Sequence, residues 1–327
     1  MLSRRLSSLP STWLIIAAFA AIYVIWGSTY LAIRFAIDSI PSFMMAGTRF
    51  LLAGALLYAL ARRGGATRPS RIHWRGALIQ GGLMFLIANG AIVKAEHVVP
   101  SGVTALIIAT VPLWVALLGW LFFREGRPDL RLAIGLVIGM GGIALLVVPG
   151  DFLSGEHVDL GGTLLLLISA FSWATGTLSS RRLPAPSTPL MGAALNMMAG
   201  GVLLLVLSLA SGEFATFVPS AVTMESLVSF VYLITFGSVV AFGSYMYLLS
   251  VVAPSRVATY AYVNPLIAVF LGWFLGEEAL TARTLVGAAV IVTAVVMITS
   301  RRRRKPAPPL PTVSEAPLAA VASSAGE

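Results

Sequence analysis

Val111-Pro112-Leu113-Trp114-Val115-Ala116-Leu117-Leu118-Gly119-Trp120-Leu121-Phe122-Phe123-Arg124-Glu125 returns 153 residues later as Asn264-Pro265-Leu266-Ile267-Ala268-Val269-Phe270-Leu271-Gly272-Trp273-Phe274-Leu275-Gly276-Glu277-Glu278. The proline, the leucine, the Gly-Trp pair and the glutamate all keep one register, which chance does not readily give. Just upstream, Pro100-Ser101-x-Val103 matches Pro254-Ser255-x-Val257 at an offset of 154. Further upstream, Trp26 pairs with Trp173 and Gly54 with Gly201 at an offset of 147. The chain therefore contains two copies of one plan.

Each copy is built from apolar runs long enough to cross a bilayer, which takes about 20 residues. The runs fall near 13–34, 43–61, 75–95, 101–123 and 131–149, then 160–180, 190–210, 226–248, 255–276 and 284–300. Five runs precede the second copy, and an odd number of crossings turns that copy upside down. The expected fold is all-α and polytopic, with ten transmembrane helices as two inverted five-helix repeats. The expected divisions are a cytoplasmic amino-terminal segment (1–12), a first repeat (13–149), an external linker (150–159), a second repeat (160–300) and a basic, Pro/Ala-rich cytoplasmic tail (301–327). The tail is too poor in large apolar side chains to order itself.

Composition agrees. Of 327 residues, 58% are hydrophobic and 11% charged, against roughly 25% charged in a soluble domain, and the mean hydropathy is +0.91. So few charges cannot clothe a water-soluble core of this size. A soluble enzyme is excluded.

The net charge of +9 does not mark a nucleic-acid binder, because the charge sits in loops and tail. With the amino end inside, the inner segments carry 18 of the 22 basic residues, including Arg62, Arg63, Arg68, Arg71 and Arg75 and the run Arg301 to Lys305. The outer loops carry Arg283 alone, beside Asp38, Asp151, Glu156, Asp159, Glu213, Glu225, Glu277 and Glu278. Basic residues concentrate in cytoplasmic loops of membrane proteins, so both termini are expected inside. The first apolar run continues well past the small-residue pattern Ala18-Phe19-Ala20, too far for a cleaved leader.

Several chemistries are absent from the sequence. It has no cysteine, and His73, His97 and His157 are widely spaced, so no metal site is expected. Gly139-Met140-Gly141-Gly142 resembles a dinucleotide fingerprint but follows an apolar helix, where Gly-x-x-x-Gly spacing serves helix packing. A phosphate loop needs Gly-Lys, and neither Lys94 nor Lys305 follows glycine. No cofactor, ATP site or catalytic set is expected.

A few polar residues stand inside the apolar runs, where they are expensive. Arg49 lies in the second run, and its repeat partner is Asn196. A guanidinium there suits a carboxylate or phosphate through a bidentate pair. Trp26, Trp173, Tyr260, Tyr262, Asn89 and Asn264 could build an aromatic cavity with a few polar handles, and Ser28, Thr29 and Thr177 are further lining candidates. Pro112 and Pro265 each remove an intrahelical bond and free a carbonyl four residues back, which makes them gating candidates. Glu96 and His97 can change charge as access switches and are candidates for proton coupling.

The residues Trp26-Gly27-Ser28-Thr29-Tyr30, Gly47-Thr48-Arg49-Phe50, Ala95-Glu96-His97 before Pro100-Ser101-Gly102, and Tyr260-Ala261-Tyr262-Val263-Asn264-Pro265 resemble the EamA family of the drug/metabolite transporter superfamily. The resemblance spans both halves. It implies a ten-helix carrier of a bacterial inner membrane, often an exporter of amino acids, metabolites or drugs. It also implies that the third, fourth, eighth and ninth helices move most while the fifth and tenth stay peripheral. The expected function is secondary transport of a small organic solute, directed outward, by alternating access of the two repeats. The alternative is a non-transporting membrane sensor or scaffold. The expected partners are the solute and the lipid bilayer, with no nucleic acid, and a monomer is compatible with the sequence.

Overall fold

A computed structural model of the chain describes residues 12–123, 130–147, 158–252, 254–257 and 259–299. In chain order the elements are α1 (Thr12–Ile37), α2 (Ser42–Arg63), α3 (Arg71–Ala95), α4a (Ser101–Ile108), α4b (Val111–Phe123), α5 (Leu130–Val147), α6 (Leu160–Ser179) and α7 (Pro189–Ala210). Then come α8, continuous through Met224–Tyr232, Leu233–Val240 and Ala241–Val251, followed by α9a (Pro254–Val257), α9b (Tyr260–Leu275) and α10 (Ala282–Thr299). The described residues contain no strand.

Seven of these are long and apolar enough to cross a membrane: α1, α2, α3, the α4a–α4b pair, α6, α7 and α8. The stretches Ala133–Leu146, Tyr260–Leu275 and Ala282–Met297 are shorter apolar helices. Every apolar run of the sequence is thus helical. The tail 301–327, nearly all of the segment 1–12 and most of the linker 150–159 lie outside the described residues.

Helix faces sort by what they meet. On α2, Leu52, Leu56 and Leu60 form an exposed stripe at four-residue spacing, and Val202, Val206 and Leu209 form one at spacings of four and three on α7. In a bilayer such stripes face lipid. The opposite faces bring α2 and α7 together backbone to backbone. A Cβ on Gly201 would stand 2.6 Å from the Leu51 nitrogen and 2.8 Å from the Gly47 oxygen, so only glycine permits this crossing. Around this pair, α1 packs on α9b, α6 on α4b and α5 on α10.

Two helices change their winding in mid-span. Gly82–Asn89 in α3 and Leu233–Val240 in α8 are eight-residue π-helical segments, related by one offset of 151. Wider winding leaves carbonyls for side chains to satisfy. The Asn89 amide donates to the Met84 oxygen at 2.9 Å, and the Ser238 hydroxyl donates to the Leu233 oxygen at 3.0 Å, each five residues back.

The two prolines, each expected to remove an intrahelical bond, differ locally. The break between α4a and α4b falls at Ala109–Thr110, so Pro112 stands in the first turn of a new helix, where its missing N–H costs nothing. Pro265 is the sixth residue of α9b and lies inside a continuous helix. The chain instead breaks between α9a and α9b, before Tyr260.

Two helices whose N-cap is a proline borrow a distant carboxylate. Glu213 accepts from the Phe43 and Met44 N–H groups of α2 at 3.2 and 2.9 Å. Glu278 accepts from the Ser101 and Gly102 N–H groups of α4a at 2.6 and 3.1 Å. Each acid satisfies orphan donors and meets the positive end of the helix dipole.

Candidate functional site

The bundle encloses a cavity of about 750 Å³. At one end its lining comes to the surface, at the half-buried His73 of α3, the exposed Pro184 and Ala185 of the α6–α7 connection and the exposed Pro189 at the start of α7, and this end is its mouth. This is the end of the bundle that carries the arginine-rich Arg62 to Arg75 loop. Its deep end reaches Ile33, Ile92 and Ala105.

Arg49 lines the cavity, with 7% of its surface exposed. Its Nε donates to the Ser238 hydroxyl at 3.1 Å, and its guanidinium lies 4.8 Å from the Phe50 ring centroid. Ser238 is itself tied to the widened turn of α8, so the π segment positions the arginine. Gly237 beside it accepts from the Trp26 indole at 3.3 Å.

Trp26 packs edge-on to Tyr260 at 5.1 Å and tilted to Tyr245 at 5.4 Å. All three line the cavity on one side. Trp173 and Phe85, 6.3 Å apart, line another. The buried Asn264 amide nitrogen donates to the Tyr260 and Tyr23 carbonyls at 3.1 and 3.3 Å.

Asn196, the repeat partner of Arg49, donates to Gln80 Oε1 at 3.4 Å, and Gln80 donates to the Gly176 carbonyl at 3.3 Å. Both polar positions of the repeat therefore reach one cavity. Thr29, Asn89, Thr177, Pro112 and Pro265 line it as well.

Ser28 and Tyr262 lie off its wall. The Ser28 hydroxyl bonds Tyr232 at 2.6 Å and the Ile25 carbonyl at 2.9 Å, and Tyr262 packs against the apolar core. Glu96 and His97, adjacent in sequence, part company in space. Glu96 is buried, with no hydrogen-bond partner on either oxygen. His97 is exposed and its Nε2 lies 2.7 Å from the Ser42 hydroxyl. Outside the spans, partial burial and then the Lys94 charge hold the His97 imidazole below its ordinary value, leaving it neutral near pH 7. Sequence reasoning passed over Gln80, Ser238, Tyr245 and the sealing role of Glu278.

Beyond the deep end, Glu278 Oε1 also receives Arg34 Nη1 at 2.7 Å. The same carboxylate thus joins α1, the start of α4a and the end of α9b. Glu277 before it adopts φ 52, the left-handed turn that folds Glu278 back onto α9b.

Comparison with known proteins agrees with these features. Residues 11–148 and 160–300 match the EamA-like transporter family. The uncharacterized inner membrane transporter YedA of Escherichia coli K12 is 42% identical over 278 residues, covering 84% of this chain and 87% of its own. A probable amino-acid metabolite efflux pump of the same organism is 28% identical over 282 residues, covering 83% and 90%. A solved crystal structure with 18% identity shares the fold at a TM-score of 0.58, over 88% of this chain and 96% of its own. An apolar helical bundle around a cavity, matched in both halves to one family of transporters, leads to one assignment: the chain belongs to the EamA-like transporter family and is a multi-pass transporter of the inner membrane.

Proposed function

We propose that this chain is a secondary carrier that exports a small organic solute by alternating access of two inverted five-helix halves, 13–149 and 160–300. The observation that carries the reading is the one-sided cavity. Its mouth lies among the basic loops, which belong in the cytoplasm, and its far end is closed by Glu278, Arg34 and the start of α4a. A carrier in this state receives solute from inside the cell.

Symmetry supports the inverted arrangement. The π segments of α3 and α8 fall at one offset, Arg49 and Asn196 meet at one cavity, and α2 crosses α7 at glycines of both halves. Glu96 or His97 then serves proton coupling, with Glu96 favoured because its buried carboxyl has no partner.

Counterflow in vesicles reconstituted with the full chain, over a panel of metabolites and amino acids, tests the function. The expected result is solute-specific exchange that saturates. A panel with no exchange, from protein that binds one of its members, would remove the carrier reading.

A further inference from the structure

The cavity has a one-sided charge. Among the described residues its lining includes two able to carry a positive charge, Arg49 at mid-depth and His73 at the mouth, and no aspartate or glutamate; the buried Glu96 acts on Arg49 electrostatically from outside that lining. The Arg49 Nε is occupied by Ser238, while its two terminal nitrogens have no hydrogen-bond acceptor among the described residues. A buried guanidinium left so is expensive in a membrane setting. Ser238 and the Phe50 ring nevertheless hold it in place. The open edge of the fork matches two carboxylate oxygens.

The cavity wall also carries two aromatic groups, Trp26 with Tyr245 and Tyr260, and Phe85 with Trp173. The volume of about 750 Å³ accommodates a body of aromatic or branched aliphatic size with room to spare. Charge balance then discriminates. A carboxylate on Arg49 offsets the one arginine charge of the described lining. An amino acid with the same body adds an ammonium, for which the wall offers only hydroxyls, amides and ring faces, in the field of a fixed arginine. An amine lacks even the favourable pair.

We propose that the cavity takes an organic monoanion with an aromatic or branched apolar body, its carboxylate seated on the terminal nitrogens of Arg49. It does so in preference to the zwitterionic amino acid or the amine of the same skeleton. This deepens the carrier reading above and rests on it for transport, though not for binding.

The experiment uses two matched sets: 3-phenylpropanoate, phenylalanine and phenethylamine, and 4-methylpentanoate, leucine and isopentylamine. Binding to the full chain in nanodiscs is followed by the fluorescence of the wall tryptophans. Each acid is expected to bind about 10- to 100-fold more tightly than its amino acid, the cost of burying the added ammonium beside Arg49 with no charged partner. Arg49→Gln is expected to erase that preference, and Arg49→Lys to restore part of it, since the charge returns without the fork. Amino acids binding as tightly as acids, binding of neither acid, or a preference that survives Arg49→Gln would overturn the proposal. Counterflow of the same solutes separates the two readings. Acid-selective binding without exchange keeps the anion site and removes the carrier. Exchange that favours the amines keeps the carrier and removes the anion site.

Discussion

Glu96 shows how far a single residue can stand from its sequence surroundings. Between Lys94 and His97 it reads as part of a solvated helix end, yet it is 3% exposed and neither oxygen has a hydrogen-bond partner. Its charged neighbours lie on three other elements: Arg34 on α1, Arg49 on α2 and Glu278 after α9b. Burial of an unpaired carboxyl is expensive unless the group gains something by it, and exchange of a proton during the cycle is such a gain. Glu96→Gln keeps the shape and removes the titration. The variant is expected to retain solute counterflow between vesicles at equal pH and to lose acceleration by an imposed pH gradient. A gradient response equal to that of the parent protein would take Glu96 out of coupling. Arg49 teaches the converse lesson. A charge inside an apolar run is legible because nothing in such a run tolerates it idly, whereas Gln80 sits close enough to the run's start to pass for a helix end, and Ser238 looks like any small packing hydroxyl.

At the scale of elements, helix positions were legible because apolar runs of fixed length can hardly be anything else in a bilayer. The interruptions were not. Nothing in Gly82–Asn89 or Leu233–Val240 announces wider winding, which becomes visible only when Asn89 and Ser238 reach carbonyls five residues back. Proline predicted a break near Pro112 and misled at Pro265, because a proline in the first turn begins a helix while one inside a helix need only bend it. That difference changes what removing each proline does. Pro265→Ala restores an interior bond from residue 265 to the carbonyl of Ala261 and is expected to stiffen α9b and slow exchange several-fold. Pro112→Ala restores none, since the first-turn N–H has no intrahelical acceptor, and is expected to leave exchange within about twofold. Comparable slowing by both variants, measured as initial counterflow rates at matched protein abundance, would show that the shared sequence register outweighs the local geometry.

For the whole molecule, the question is what holds one end of the cavity shut. Glu278 gathers Arg34 and two N–H groups of α4a onto a single carboxylate beside Gly272. Each part has a residue of the same type in the other half of the sequence: Arg34 matches Arg181 at an offset of 147, Ser101 matches Ser255 at 154, and Gly272 and Glu278 match Gly119 and Glu125 at 153. If the halves are inverted, the second set belongs at the cytoplasmic end and closes it when the outer set has opened. The two glutamates then weigh on one equilibrium from opposite sides. Because the chain has no cysteine, access can be read with single substitutions. Ala105→Cys lies one turn into α4a at the deep end, behind the Glu278 closure, and Thr177→Cys lies in the cavity wall. With Glu278→Gln the carboxylate charge is lost from Arg34 and the helix start. Labelling at position 105 by a membrane-impermeant maleimide added outside is expected to rise several-fold, while labelling at 177 from inside falls. Glu125→Gln is expected to move both signals the other way. Shifts in the same direction, or none while transport persists, would make both glutamates ordinary helix caps, and the inverted pairing of the two closures would fall with them.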